Sequence, residues 1–352
     1  MKYLKKYKNY IKENLNPEEI ENLKKLISTG NMDDIDLALL IASGHPEIEN
    51  KVKGFVCEQL EIENYTINEK GFVDVDGDVN LFGRNLSKLP LKFGRVTGNF
   101  YCNRNQLTTL EGCPKEVVGS FDCCLNQLTT LEGCPKKVGG DFDCHNNQLT
   151  TLEGCPGEVG GYFDCGYNQI TTLEGCPGEV GGDFYCGNNQ LTLLLGCPGE
   201  VGGYFDCGNN QLTSLLGCTR KVGGEFDCHG NQLTTLEGCP KEVGDNFYCQ
   251  NNQITTLEGC PGEVGGDFYC NRNQLTIIKD ELEFVKIIGY FDIEYNPIYE
   301  VYKLFPDFES FKYSLDYNYF REPNLIVKNR FEEACEEAGI KIPKIIKGYQ
   351  YI

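Results

Sequence analysis

Twenty cysteines, three histidines and a recurring row of aspartates and tyrosines are the residues of this chain with chemistry to offer. A catalytic or metal-binding set has to stand out from its surroundings, because a residue type copied at a fixed interval is explained more simply by the stacking of repeats. Nine cysteines from Cys102 to Cys270 and eight from Cys113 to Cys260 are copied in this way, every 21 residues. His145 and His229 share one repeat position four repeats apart; at about 4.8 Å per stacked repeat they lie roughly 19 Å from each other, too far to share a metal. Cys335 sits in Glu332-Glu333-Ala334-Cys335-Glu336-Glu337, where neighbouring carboxylates disfavour a thiolate. Cys123-Cys124 is the one adjacent cysteine pair. Cys124 is expected to face outward, yet neither CxxC spacing nor a partner histidine argues for zinc there. The expectation is therefore no catalytic residue, no metal ligand and no cofactor.

What stands out is a column of Tyr101, Asp122, Asp143, Asp164, Tyr185, Asp206, Asp227, Tyr248 and Tyr269, flanked by Asp141, Tyr162 and Tyr204. Tyrosine among acids is the composition of a recognition surface. These twelve residues are the candidate partner-binding site. Stacked carboxylates repel one another unless a cation or a basic ligand lies over them. The run Gly-Gly-Asp-Phe-Asp invites comparison with calcium-binding nonapeptide β-rolls, but the period differs and the third glycine is absent.

The elements that position this column follow from the period. Phe100, Phe121, Phe142, Phe163, Phe184, Phe205, Phe226, Phe247 and Phe268 are evenly spaced, with Val79 upstream in the same place and Phe291 after a two-residue insertion. A period of this length marks a solenoid, in which each repeat buries its apolar side only against its neighbours. Period-two alternation turns Phe142 and Cys144 inward and Asp141, Asp143 and His145 outward. Leu149 and Leu152 point in again, Gly154-Cys155-Pro156 forbids a helix, and Val159 with Gly160-Gly161 leads into the next strand. The expected coil is one short parallel strand with an extended, non-helical back. Asn105, Asn126, Asn147 and their successors to Asn273 should satisfy backbone groups at the corner. Arg84 and Lys92 depart from the repeat, as expected where a repeat meets a cap.

Upstream, Leu4, Tyr7, Ile11 and Leu15 predict a basic amphipathic segment. Helices follow over 17–28, 33–42 and 46–60, with Ile20, Leu23, Leu26, Ile35, Leu39, Leu40, Val52, Phe55 and Val56 as a small core. Downstream, helices are predicted over 298–304, 308–313 and 325–339, with an aromatic cluster that includes Phe308, Phe311, Tyr313, Tyr317, Tyr319 and Phe320. The resulting division is 1–71 as a helical N-terminal cap, 72–296 as the solenoid and 297–352 as a helical C-terminal cap.

The frame Cys-x-x-Asn-x-Leu-x-x-Leu resembles the leucine-rich repeat motif, and Asn-Gln-Leu-Thr-Thr-Leu-Glu-Gly-Cys-Pro is similar to the short bacterial class of secreted effector ubiquitin ligases, with Cys113 and its equivalents where that class has leucine. The cysteine-rich variant with Gly-Gly-Asp-Phe-Asp-Cys is similar to leucine-rich repeat proteins encoded by tailed phages and giant viruses. The resemblance implies an α/β leucine-rich repeat solenoid. It does not carry ligase activity over, since residues 297–352 are too few for such a catalytic domain. Two functions are compatible with it: a non-catalytic scaffold that binds a basic or extended protein segment, or a packaged virion component that contacts capsid or other virion proteins.

Residues 72–296 hold 14 Lys and Arg against 30 Asp and Glu, so the solenoid carries most of the net charge of −20. Such a surface repels phosphate backbones, and nucleic acid is not expected as a partner. No apolar run reaches the roughly 18 residues of a membrane span, and the start of the chain lacks the apolar core of a secretory signal. The expectation is a reducing location, a cytoplasm, a host cytoplasm or a virion interior, that keeps the cysteines as thiols.

Overall fold

The computed structural model describes residues 16–43, 45–278 and 285–352. The basic segment expected around Leu4, Tyr7, Ile11 and Leu15 lies outside them. Two compact units result: the first runs as far as Leu149 and takes in Glu153–Gly161, and the second comprises Thr150–Leu152 and Tyr162–Ile352. Each is built on a parallel β-solenoid, with helices at the N-terminal end of the first and the C-terminal end of the second.

In the first unit, α1 (Pro17–Ile27), α2 (Met32–Ala42) and α3 (Pro46–Gln59) pack on one another. Asn16 and Glu19 close a reciprocal capping box on α1, and Asn31 accepts from Asp33 N and Asp34 N at the start of α2. Leu23, Ile27, Ile35, Ala38, Ala42, Val52, Val56 and Cys57 form the core. Leu40, expected inside, is exposed; the alanines on either side of it carry the packed face of α2 instead. Asp36 joins the helices to Lys88 of the first coil (2.6 Å), and Lys53 Nζ donates to Gly71 O (2.9 Å) in the turn of the antiparallel hairpin Tyr65–Ile67 and Val73–Val75.

The coils of this unit carry two ladders rather than the expected one. Val79–Asn80, Phe100–Tyr101, Phe121–Asp122 and Phe142–Asp143 pair in parallel with the phenylalanines in register. Across the coil, Phe93–Val96, Glu116–Val117, Lys137–Val138 and Glu158–Val159 form a second parallel ladder. The back of each coil is thus partly strand, held by the valine that follows Cys-Pro. Stacked rings of Phe100, Phe121 and Phe142 lie 5.7 and 5.6 Å apart by centroid.

The corner is shared between two neighbours. Arg104, Leu125 and Asn146 adopt left-handed φ of 51°, 53° and 51° and turn the chain. The buried asparagine that follows then knits coils together: Asn126 Nδ2 donates to Cys102 O (3.0 Å), Cys123 O (3.1 Å) and Cys124 O (3.2 Å), and its Oδ1 accepts from Leu107 N (2.9 Å). At the Gly-Gly step coils approach too closely for a side chain, since a Cβ at Gly139 would stand 2.2 Å from Val118 O.

The second unit repeats this design from Phe163–Asp164 to Phe291–Asp292 on one ladder and from Glu179–Val180 to Lys286–Ile287 on the other. Its phenylalanine centroids are spaced from 4.9 Å (Phe247 to Phe268) to 5.7 Å (Phe163 to Phe184). Beyond the last coil come α4 (Tyr299–Tyr302), α5 (Phe308–Ser314) and α6 (Lys328–Glu337). Phe308 closes on Phe291 at 4.7 Å, Lys312 Nζ donates to Val285 O (3.0 Å) and Tyr349 OH to Thr276 O (2.6 Å). Of the aromatic cluster, Phe311, Tyr319 and Phe320 are buried and Tyr313 is exposed. The helix expected from Leu325 begins at Lys328, because Phe320–Glu322 and Leu325–Ile326 pair as a hairpin across Pro323-Asn324. A proline followed by a residue at φ 65° is the pattern of a type II turn.

Candidate functional site on the strand face

Each aspartate of the column ends its strand by bonding its own backbone two residues on. In the first unit Asp122 Oδ1 accepts from Cys124 N and Asp143 Oδ1 from His145 N, both at 3.0 Å. This is an Asx turn, which closes the strand just before the left-handed corner. Asp143 also lies 2.6 Å from His145 Nδ1 and is buried, whereas the alternation had turned it to solvent. Its own turn and the imidazole cover it. Burial, with the Asp143 charge nearby, pushes the Asp122 carboxyl up. Tyr101 is raised by burial and then by Asp78, Asp122 and Asp141.

Two expectations for Cys124 are overturned in the same place. It is buried rather than outward-facing, and it has a partner histidine: its Sγ, a carboxylate oxygen of Asp143 and a ring nitrogen of His145 all lie within 4.8 Å of one another. Motif spacing looks along the chain, but coil stacking sets residue 124 beside residue 145. The signal in the sequence was the shared column, one period apart. Burial, then Asp143 and Asp122, hold this thiol well above its usual range.

In the second unit the Asx turn recurs: Asp164 accepts from Gly166 N (2.8 Å), Asp206 from Gly208 N (2.7 Å), Asp227 from His229 N (2.8 Å). The tyrosines come together. Tyr162 meets Tyr185 edge-on at 6.4 Å, and Tyr185 meets Tyr204 edge-on at 5.4 Å. Tyr185 OH donates to Asp183 Oδ2 (2.9 Å) and Tyr204 OH to Asp227 Oδ2 (3.2 Å). Farther along, Tyr248 stacks on Tyr269 at 4.9 Å, and Tyr269 OH donates to Asp267 Oδ2 (2.8 Å).

Phenols donating to carboxylates stay protonated. Tyr185 is pushed up to about 12, first by burial and then by the bond to Asp183. Burial is also the main reason that Asp206 rises to about 6, with Asp227 and Asp164 adding to it against the Gly208 N–H and His229. The thiols of the inner column, such as Cys186, Cys207 and Cys228, are held far above their usual range by burial. The column therefore offers carboxylates and neutral phenols, not an activated nucleophile. Sequence reasoning missed Tyr167 and Tyr295, exposed at the left-handed corner. The departure from asparagine and arginine at that position was the available signal.

No protein-family model matches this chain, and no curated protein matches it. Among solved structures it is similar to YopM from Yersinia enterocolitica WA-314, with 16% identity over 62% of this chain and 64% of that chain at a TM-score of 0.27. It is also similar to a leucine-rich repeat (LRR) protein of Leptospira interrogans, with 14% identity over 62% of this chain and 84% of that chain at a TM-score of 0.25. The chain spans a little under two thirds of the YopM chain. What carries the fold is the repeat geometry of the chain itself.

Proposed function

We propose that this protein is a non-catalytic protein-interaction scaffold, and that the strand face of its second unit binds a basic or extended protein segment. The observation that carries the reading is the run of Tyr162, Tyr185 and Tyr204, edge to face among Asp164, Asp183, Asp206 and Asp227. Ring faces and carboxylates together suit Lys and Arg, which gain both charge pairing and cation–π contact. Tyr185 and Tyr204 are already held by hydrogen bonds, so little of their side-chain freedom is lost on binding. The net charge of −20 favours a cationic partner and disfavours nucleic acid. A reducing compartment suits the buried thiol columns.

The test is binding of immobilised basic, neutral and acidic peptides at low and high salt. Basic peptides should be retained, and less so as salt rises. Asp164→Asn combined with Asp206→Asn keeps the Asx acceptors but removes the charge, and should weaken binding by about tenfold or more. Thr192→Ala with Thr213→Ala, exposed on the back, should change nothing. Undiminished binding by the Asn double variant would rule the face out.

A further inference from the structure

We propose that Cys124, Asp143 and His145 form a binding site for a divalent transition-metal ion of the zinc class. The three donor atoms already lie within 4.8 Å of one another. Tetrahedral zinc, with bonds of about 2.0–2.3 Å, sets its ligand atoms about 3.3–3.8 Å apart, so side-chain shifts of roughly an ångström complete the site. Sulfur, imidazole nitrogen and one carboxylate oxygen make a borderline-soft set. Calcium and magnesium take all-oxygen shells and are not matched by it.

The charge balance points the same way. A bound thiolate and carboxylate neutralise a divalent ion, and the thiol proton leaves to solvent as sulfur binds. Asp122, whose Oδ1 holds the Cys124 amide, adds a second carboxylate beside the thiol. Both amides that flank the site, of Cys124 and His145, are fixed by Asx turns, so the backbone is set before any ion arrives. Three protein ligands leave a fourth position for water or an exchangeable ligand.

The second unit supplies an internal comparison. Asp227 and His229 repeat the carboxylate–imidazole pair at 2.7 Å, but Gly208 stands in the cysteine's column. A Cβ at Gly208 would come within 2.5 Å of His229 Nδ1, so the ring there occupies the space that the cysteine side chain needs. Asn209 Nδ2 lies 3.0 Å from His229 Nε2, whereas Leu125 occupies that column position after Cys124 and offers no amide. Cys124-Leu125 thus breaks the repeat at two consecutive positions and sets a thiol beside the carboxylate–imidazole pair, where the other coil has only glycine.

Cobalt(II) is the probe. Reduced, chelator-stripped full-length protein titrated with Co²⁺ should bind one ion per chain and show sulfur-to-cobalt charge-transfer absorption in the near ultraviolet, displaced by Zn²⁺. Cys124→Ser should abolish the band, His145→Gln should weaken binding by about tenfold or more, and His229→Gln should do neither. Circular dichroism checks that each variant folds; Cys124→Gly, which copies the residue tolerated at Gly208, replaces the serine variant if that one does not. Absence of the band in the parent protein, or its survival in a folded Cys124 variant, overturns the proposal.

Discussion

Asn189 holds three carbonyl oxygens around one amide nitrogen: Cys165 O at 3.0 Å, Cys186 O at 3.2 Å and Gly187 O at 3.3 Å, while its Oδ1 accepts from Ile170 N at 3.0 Å. Asn189→Ala leaves these buried groups unmet and should cost about 1–3 kcal/mol in denaturant melts. Asn189→Asp should cost more, because it sets a carboxylate oxygen where the donor was. Gln190→Ala, on an exposed neighbour, should change little; equal losses at 189 and 190 would mean the corner is not held by the amide. This ladder was legible in the sequence because asparagine is copied in each coil from Asn105 onward. The aspartate column was legible only in part. An Asx turn leaves no mark beyond the aspartate itself, so alternation alone turned Asp143 outward, and the partner of Cys124 lay a whole period away.

At the scale of the element, the Gly-Gly step decides how closely coils approach. A Cβ on Gly223 would stand 2.1 Å from Gly202 O, whereas one on Gly178, in the turn after Cys-Pro, meets nothing within 4 Å. Gly223→Ala should therefore cost about 1–3 kcal/mol by forcing coils apart, and Gly178→Ala should be neutral or stabilise by up to about 1 kcal/mol by stiffening the unfolded chain. Thermal melts of the two variants side by side check the contrast; similar melting points would show that the step has slack. The sequence carried this contrast, since Lys115, Lys136, Arg220 and Lys241 share the column of Gly178, whereas that of Gly223 is glycine from Gly139 to Gly265. It hid the second ladder, since strands of two residues, such as Glu179–Val180 and Glu200–Val201, are too short to show an alternating pattern. The hairpin at Pro323-Asn324 was hidden for a related reason: the apolar residues on its second arm read equally well as the start of α6.

For the molecule as a whole, one number in the sequence, the 21-residue period, was enough to predict coils, register and the inward columns, because stacking turns a spacing into a contact. The ends were less legible, as each helix there answers only to its own packing. Uniform coils also have a consequence for how such a chain can change. Every phenylalanine from Phe163 to Phe268 sits on the next in identical register, so the backbone pairing between coils does not depend on which coils are joined, while the rings meet stacked at some junctions and edge-on at others. Deleting residues 185–205 brings Phe184 directly before Asp206, as Phe205 stood, and should give a cooperatively melting protein with one coil fewer. Deleting residues 185–204 instead sets Phe184 directly before Phe205, so that one coil carries an extra residue and one of the two rings is forced to the wrong face, and it should melt well below the 21-residue deletion. Circular dichroism of the two deletions tests this, and loss of the transition in both would show that the coils are not interchangeable. Coil number is then a quantity that recombination between near-identical repeats can raise or lower in single steps, lengthening or shortening the outward surface without redesigning a residue.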